Sequence, residues 1–410
     1  MPTATHLQRF NTRSGMRIRS LLGVAWIILL LCGCSASSVQ PSTPVQENTR
    51  SVPLVTKAAQ VNERWVADFA AYIQDEQEKA HIPGLALAVV NGDGPLLLQG
   101  YGLRDVEKKL PVDADTLFHI GSTHKSMTAL LVATLVDAGV VDWDTPVVQI
   151  APNFRLSDAD ASAAVTFRHL LSMTSGIPDA AEEDLPDEPG LSDVFAVAAE
   201  TELLGMPGEV YSYSNISASL AGYLAVLAAD KNAVDLHDGY AHLLRQRILD
   251  PLGMKSATIY ISEAQRNRNY SLAYDTSGDA AQALEPEDTD DDAMAPAGSL
   301  KASAREMALY MQMLVKGGVA ANGTRIVSQA ALAEMWTPLL EEYGLGWEIA
   351  EVDGLRLVSH TGAYDGFVSV IGLLPEAKVG FVLLVNEEEA GGDLTDAAAQ
   401  AFAELYKARR

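Results

Sequence analysis

Cysteine is nearly missing from this chain. Of 410 residues only Cys32 and Cys34 carry a thiol, which excludes a core disulfide, a thiolate zinc cluster and a cysteine nucleophile from the folded part. Basic residues are scarce as well: 29 Lys and Arg stand against 54 Asp and Glu, for a net charge of −25. Phosphate binding needs a basic stripe, so nucleic acid is not an expected partner. No His-Glu-x-x-His occurs, and His119 and His124 stand five apart instead of the four of a helical ligand pair, so a structural role is expected for them and not a zinc site. A Gly-x-Ser-x-Gly elbow is also lacking, which argues against an α/β-hydrolase. Internal repeats are absent. What is present, 48% hydrophobic and 20% charged residues, describes a globular chain with a sizeable core in one large domain or two smaller ones.

The N-terminus carries an export pattern. Met16-Arg17-Ile18-Arg19-Ser20 forms a basic start, Leu21 to Leu31 an apolar run, and Cys32-Gly33-Cys34-Ser35 a small-residue ending, as in a secretory signal. The run is short for a transmembrane span, which needs about 20 apolar residues. Its ending, Leu31-Cys32-Gly33-Cys34, resembles a bacterial lipobox, which implies a lipid on Cys34. Residues 1–33 are therefore expected to be a lipoprotein-type signal peptide. Residues 34–55, rich in Ser, Pro, Thr and Gln, are expected to be a flexible tether. Together they imply a membrane-anchored lipoprotein facing the periplasm or the cell exterior.

In residues 56–410, a helical pattern at Ala58 to Lys79 precedes a strand candidate at Leu85 to Val90. The turn Gly92-Asp93-Gly94 follows, then a second strand from Leu96. Ser122 to Ala138 reads as a helix with Ser122 at its N-cap and a stop at Gly139. About 141–290 is mostly helical pattern broken by loops, and strand signals return at Leu355–Ser359, Phe367–Leu374 and Val379–Val385. Strands at both ends with helices between predict an α+β fold: one antiparallel sheet built from both termini, flanked by helices, with an inserted mainly helical subdomain. The acid run from Glu285 to Asp292 lacks an EF-hand loop's spacing. Counted from Asp288, its sixth residue is Ala293 and its twelfth Ser299, so a solvated loop is expected there.

Three segments carry candidate chemistry. In Ser122-Thr123-His124-Lys125 a hydroxyl and an amine three residues apart share a helix face. A helix N-terminus and desolvation both disfavour an ammonium, which makes a free-base amine available to activate the serine. Taken alone, a capped helix with a surface lysine explains the segment equally well. Tyr211-Ser212-Tyr213-Ser214-Asn215 offers a phenol for proton exchange and an amide with both donor and acceptor; alone it reads better as a polar helix start capped by Asn215. Ser359-His360-Thr361-Gly362-Ala363 puts polar side chains and a glycine on a late strand, where substrate could approach the backbone and an Ala363 N–H could pair with that of Ser122 as an oxyanion hole. An edge strand with a surface histidine is the competing explanation.

In that order, Ser-x-x-Lys, Tyr-x-Asn and His-Thr-Gly resemble the serine β-lactamase and penicillin-binding-protein superfamily, nearest the class C and family VIII esterase branch. Further matches are Phe167 to Gly176, Pro251-Leu252-Gly253-Met254, Ala297-Gly298-Ser299-Leu300 and Tyr343-Gly344-Leu345-Gly346-Trp347. The resemblance covers about Val61 to Val385. It implies a β-lactamase-like fold and acyl-enzyme chemistry without a metal or cofactor. Ser122 would be the nucleophile, with Lys125 and Tyr213 exchanging its proton. Asn215 would hold Lys125 and touch substrate. His360, Thr361, Gly362 and Ala363 would line the substrate and oxyanion site.

Two departures from the family pattern matter. His360 stands where β-lactamases and D,D-peptidases usually carry lysine, and a neutral imidazole anchors a substrate carboxylate poorly. Met173 stands where relatives often have histidine, and is expected to affect packing only. The resulting expectation is an esterase-like serine hydrolase acting on small esters or amides. The alternatives are a β-lactamase or D,D-peptidase, or a non-catalytic binding protein on the same fold.

Overall fold

The computed structural model describes residues 64–278, 280–286 and 289–408. The expected signal peptide, tether and Cys34 lipidation site lie outside them. Near the start of the described chain are β1 (Gly84–Asn91), β2 (Gly94–Asp105), β3 (Leu110–Pro111) and β4 (Leu117–His119). Further along come β5 (Tyr274–Asp275), β6 (Gln282–Ala283) and β7 (Lys301–Ser303), then β8 (Glu348–Val352), β9 (Leu355–Tyr364), β10 (Phe367–Leu374) and β11 (Val379–Val385). Seven of these form one sheet in the order β3-β2-β1-β11-β10-β9-β8. Early and late strands meet at its centre, where β1 and β11 run antiparallel from Leu85↔Val385 to Asn91↔Val379. The mixed α+β fold with a sheet drawn from both ends of the chain is the one the sequence predicts.

Both faces of the sheet are covered, which explains why β10 and β11 are wholly buried and, Ser369 apart, without polar side chains instead of alternating. Leu85, Leu87 and Val89 of β1 point to one layer, while Ala86, Ala88 and Val90 point to the other, as the two-residue period of a strand requires. The first layer is closed by the helices Arg64–Lys79 and Glu389–Ala408. Phe69, Phe381 and Phe402 meet there with ring centroids 4.7–5.3 Å apart. Such aromatic contacts add about 0.5–1.5 kcal/mol each beyond burial.

The second layer holds the central helices Lys125–Asp137, Asn215–Ala229 and Ala304–Val315. Eleven residues of the first are buried, Lys125 to Leu135, so it is apolar all round because it is enclosed all round. From Val147 to Arg266 the chain is helices and loops. Among the described residues no helix is long and apolar enough to cross a membrane.

Candidate active site

The approach to Ser122 is set by glycine. β4 pairs with β7 and delivers the chain to Gly121, whose φ of +51° lies in the left-handed region, where a side chain is disfavoured. Residues Gly121–His124 then wind as a 3₁₀ turn, and the α-helix begins only at Lys125. Ser122 is thus not the N-cap the sequence suggested. The Ile120 carbonyl is taken by the hydroxyls of Thr123 (2.8 Å) and Ser369 (2.6 Å), which fixes the tighter turn. A 3₁₀ turn places residues i and i+3 directly in line, so the Ser-x-x-Lys spacing serves here as it would in an α-helix: Lys125 Nζ lies 2.9 Å from Ser122 Oγ.

Lys125 is fully buried. Its Nζ also donates to Asn215 Oδ1 and to the Ala297 carbonyl, the latter at 3.0 Å. Both partners can only accept, so a neutral amine spends its two protons on them and turns its lone pair toward the Ser122 hydroxyl. Burial drives the lysine down to about 7, against the opposing pull of Glu182 and Asp179. A substantial free-base fraction therefore exists at neutral pH.

Tyr213 comes from the segment leading into the helix Asn215–Ala229. Its hydroxyl is hydrogen-bonded to Ser122, and burial holds the phenol well above its ordinary range. It stays protonated at neutral pH and can pass a proton but not act as a standing base, a role left to Lys125. Lys125 Nζ sits 4.8 Å from the centre of its ring. Ser214, not Asn215, caps the helix, accepting from the Ser217 N–H; Asn215 occupies the first turn with its side chain free to meet the lysine. Met173 does more than pack. At φ +59° it offers its carbonyl to the Ser212 N–H and its sulfur to the Ser214 N–H, pinning the Tyr-x-Asn segment.

The His-Thr-Gly segment lies on β9. β8 pairs with β9 only from Leu355 to Ser359, so His360 to Tyr364 keep one edge without a strand, and the Ser122 turn packs on the face of β9 at Gly362. A side chain on Gly362 would bring its Cβ to 2.8 Å from Ser122 N, and one on Gly121 to 2.7 Å from Ala363 N; neither fits. The His360 imidazole is buried, so it is not the surface residue of an edge strand. It receives the Tyr343 hydroxyl on Nε2 at 2.9 Å and donates from Nδ1 to the Thr361 carbonyl at 2.5 Å. Burial, with the Lys125 charge, takes it down to about 3, leaving it neutral.

Sequence reasoning missed four participants. The Ala297 carbonyl and Tyr343 lie in segments that match the family but had no assigned role. Glu182 and Asp179 sit in and beside the acidic stretch Glu182 to Glu188, where no spacing rule marks them. The acid run is also not wholly a solvated loop, since Asp292 accepts from the hydroxyls of Ser299 and Tyr364. Among the described residues no group of His, Cys, Asp or Glu could hold a metal.

The β-lactamase family model matches residues 69–405. Penicillin-binding protein 4 of Amycolatopsis lactamdurans is 30% identical over 344 residues, which are 80% of this chain and 87% of that protein. Protein flp of Staphylococcus aureus is 27% identical over 322 residues, 77% of this chain and 61% of that one. The octameric penicillin-binding protein homologue from Pyrococcus abyssi superposes with a TM-score of 0.69 at 26% identity, covering 83% of this chain and 77% of that one. A class C β-lactamase from Rhodobacter sphaeroides gives 0.64 at 23% identity, over 83% and 98%, a likeness of fold. With a family model spanning nearly all the described residues and its three ordered motifs meeting around one hydroxyl, the chain belongs to the β-lactamase family.

Proposed function

We propose that this chain is a serine hydrolase that forms an acyl-enzyme on Ser122 and cleaves small neutral esters or amides. The observation that carries the reading is the convergence on Ser122 Oγ of a half-neutral lysine, 2.9 Å away, and a protonated tyrosine hydroxyl. Lys125 takes the Ser122 proton as Oγ bonds to the substrate carbonyl carbon. The oxyanion rests on the N–H groups of Ser122 and Ala363. As the tetrahedral centre collapses, the carbon–leaving group bond breaks and the proton passes by way of Tyr213 to the departing oxygen or nitrogen. Water then adds to the acyl carbon, gives its proton back through the same pair, and releases the acid and free Ser122.

The preference for neutral substrates rests on His360, which stands neutral in the wall of the site, and on Asp179 and Glu182, whose field reaches Lys125. Among the described residues, Lys125 is the one cation placed at the Ser122 hydroxyl, and His360 offers a carboxylate-bearing substrate no charge. The likeness to a penicillin-binding protein supports the second reading, a β-lactamase or D,D-peptidase. A side-by-side assay of a short-chain p-nitrophenyl ester, a chromogenic cephalosporin and a D-amino-acid peptide separates them. Faster ester turnover, lost in Ser122→Ala, is expected; faster cephalosporin or peptide turnover replaces the first reading with the second.

The export pattern supports an enzyme held outside the cytoplasm by a lipid on Cys34. On fractionation, Cys34→Ala should move from the membrane to the soluble fraction, and an unchanged distribution would remove the anchor.

A further inference from the structure

The loop before the Tyr-x-Asn segment brings a carboxylate to the far side of Asn215. Residues Asp179–Asp184 form a 3₁₀ turn after Pro178, and Glu182, largely buried, accepts the Asn215 backbone N–H at 3.1 Å. The same carboxylate is hydrogen-bonded to the Asn215 side chain. An ionised carboxylate only accepts, so the amide end facing it is Nδ2, and Oδ1 is left facing Lys125, which donates to it. Each end of the amide thereby has the one partner that suits it.

We propose that Glu182 is a positioning residue of the site: it locks the Asn215 amide with Oδ1 toward Lys125 and stands as a negative charge behind the catalytic amine. The role rests on the hydrolase reading above and adds to it a residue outside the three motifs.

Without Glu182 the amide can turn over and aim its NH₂ at the lysine, which would push the amine off the serine. With it, the lysine is held by Asn215 Oδ1 and the Ala297 carbonyl while its lone pair stays on the hydroxyl. The charge acts separately. Burial disfavours the ionised forms of both Glu182 and Lys125, and their mutual attraction opposes that on both sides. Asp179 adds a second negative charge from the same loop. The other groups around the amine are the Ser122 and Tyr213 hydroxyls, both uncharged at neutral pH, and neutral His360.

Capping alone is the competing role, because the Asn215 N–H lies in a helix's first turn and needs an acceptor. Glu182→Gln in the full chain separates the two, since it keeps an amide oxygen for that N–H and deletes the charge. Two readouts apply: the Lys125 side-chain titration followed by NMR with ε-¹³C lysine, assigned by the signal lost in Lys125→Arg, and the pH profile of kcat/KM on a p-nitrophenyl ester.

In Glu182→Gln the Lys125 midpoint and the rising limb of the profile are expected to move down by about one pH unit. In Glu182→Ala, which also frees the amide, kcat/KM should fall at least tenfold at its optimum through kcat, with Glu182→Asp recovering part of the loss. An unmoved Lys125 midpoint in folded Glu182→Gln, or an Ala variant with undiminished kcat/KM, overturns the role. A midpoint that shifts in a protein that turns over no ester, cephalosporin or D-amino-acid peptide overturns the hydrolase reading and leaves Lys125 governed by Glu182.

Discussion

Lys125 is suited to the base of the proposed mechanism because of where it sits, not because of what it is. An exposed lysine is charged at neutral pH; this one is enclosed on every side and falls to about 7. The rising limb of kcat/KM against pH should therefore have its midpoint near 7, and a limb near the ordinary lysine value would show that the amine does not act as the base. Lys125→Arg retains a positive charge that cannot be given up at any working pH. It should lower kcat/KM by about 10²–10⁴-fold, read against a thermal melt that checks folding. Tyr213→Phe keeps the ring and deletes the hydroxyl, and should lower kcat by a similar factor with a smaller change in KM. Taken singly, each motif segment had a plain structural explanation; the serine, lysine, tyrosine and asparagine were legible through the order of their motifs, which resembles a known family. Glu182, the Ala297 carbonyl and Tyr343 were not. They reach their partners across 33, 172 and 17 residues, distances that only the folded chain closes.

Among the elements, the meeting of β9 with the Ser122 turn decides whether the site exists. Two backbones touch there with no side chain between them, through Gly121 and Gly362. Gly362→Ala puts a methyl group where the turn already stands and should cost about 1–3 kcal/mol of stability. It should also lower kcat/KM at least tenfold by parting the strand from Ser122, while leaving the Lys125 midpoint in place. Full activity in that variant would show that the close approach is not needed. Phe367–Leu374 and Val379–Val385 could be bounded from sequence alone, because strands covered on both faces read as nearly continuous apolar runs. β9 was less sharply bounded: its apolar signal covers only Leu355–Ser359, its motif carries the late strand on to Ala363, and the strand ends at Tyr364. Its polar second half follows the needs of the site instead of the core. The 3₁₀ turn at Ser122 was hidden for a related reason, since the hydroxyls of Thr123 and Ser369 that stabilise it are far apart in the chain.

For the molecule as a whole, two buried neutral histidines couple folding to pH. His124, hydrogen-bonded to Tyr240 at 3.0 Å, and His360 both titrate at about 3 when folded, against 6.5 when free. As pH falls below 6.5 the unfolded chain takes up these protons first. Stability is then lost progressively toward pH 3, at roughly 1.4 kcal/mol per pH unit for each histidine. Buried carboxylates such as Glu348, raised to about 7, act in the opposite direction, so the histidine share is read by difference. In urea midpoints at pH 7, 6 and 5, His124→Gln should shift the slope by one proton relative to the wild type, and an unchanged slope would place His124 outside the linkage. The two-layer arrangement around a sheet from both termini was visible in the order of strand and helix signals. That the helix Ala304–Val315 packs beside the helix Lys125–Asp137, its Tyr310 hydroxyl donating to Ser126, was not, because no motif marks that contact.

The most direct measurement is the site of covalent modification. Purified protein treated with a fluorophosphonate probe, digested and mapped by mass spectrometry should carry the adduct on Ser122, with labelling lost in Ser122→Ala and slowed in Lys125→Arg. An adduct on another residue, undiminished labelling of Ser122→Ala, or no adduct on the folded wild-type chain would contradict an acyl-enzyme formed at Ser122.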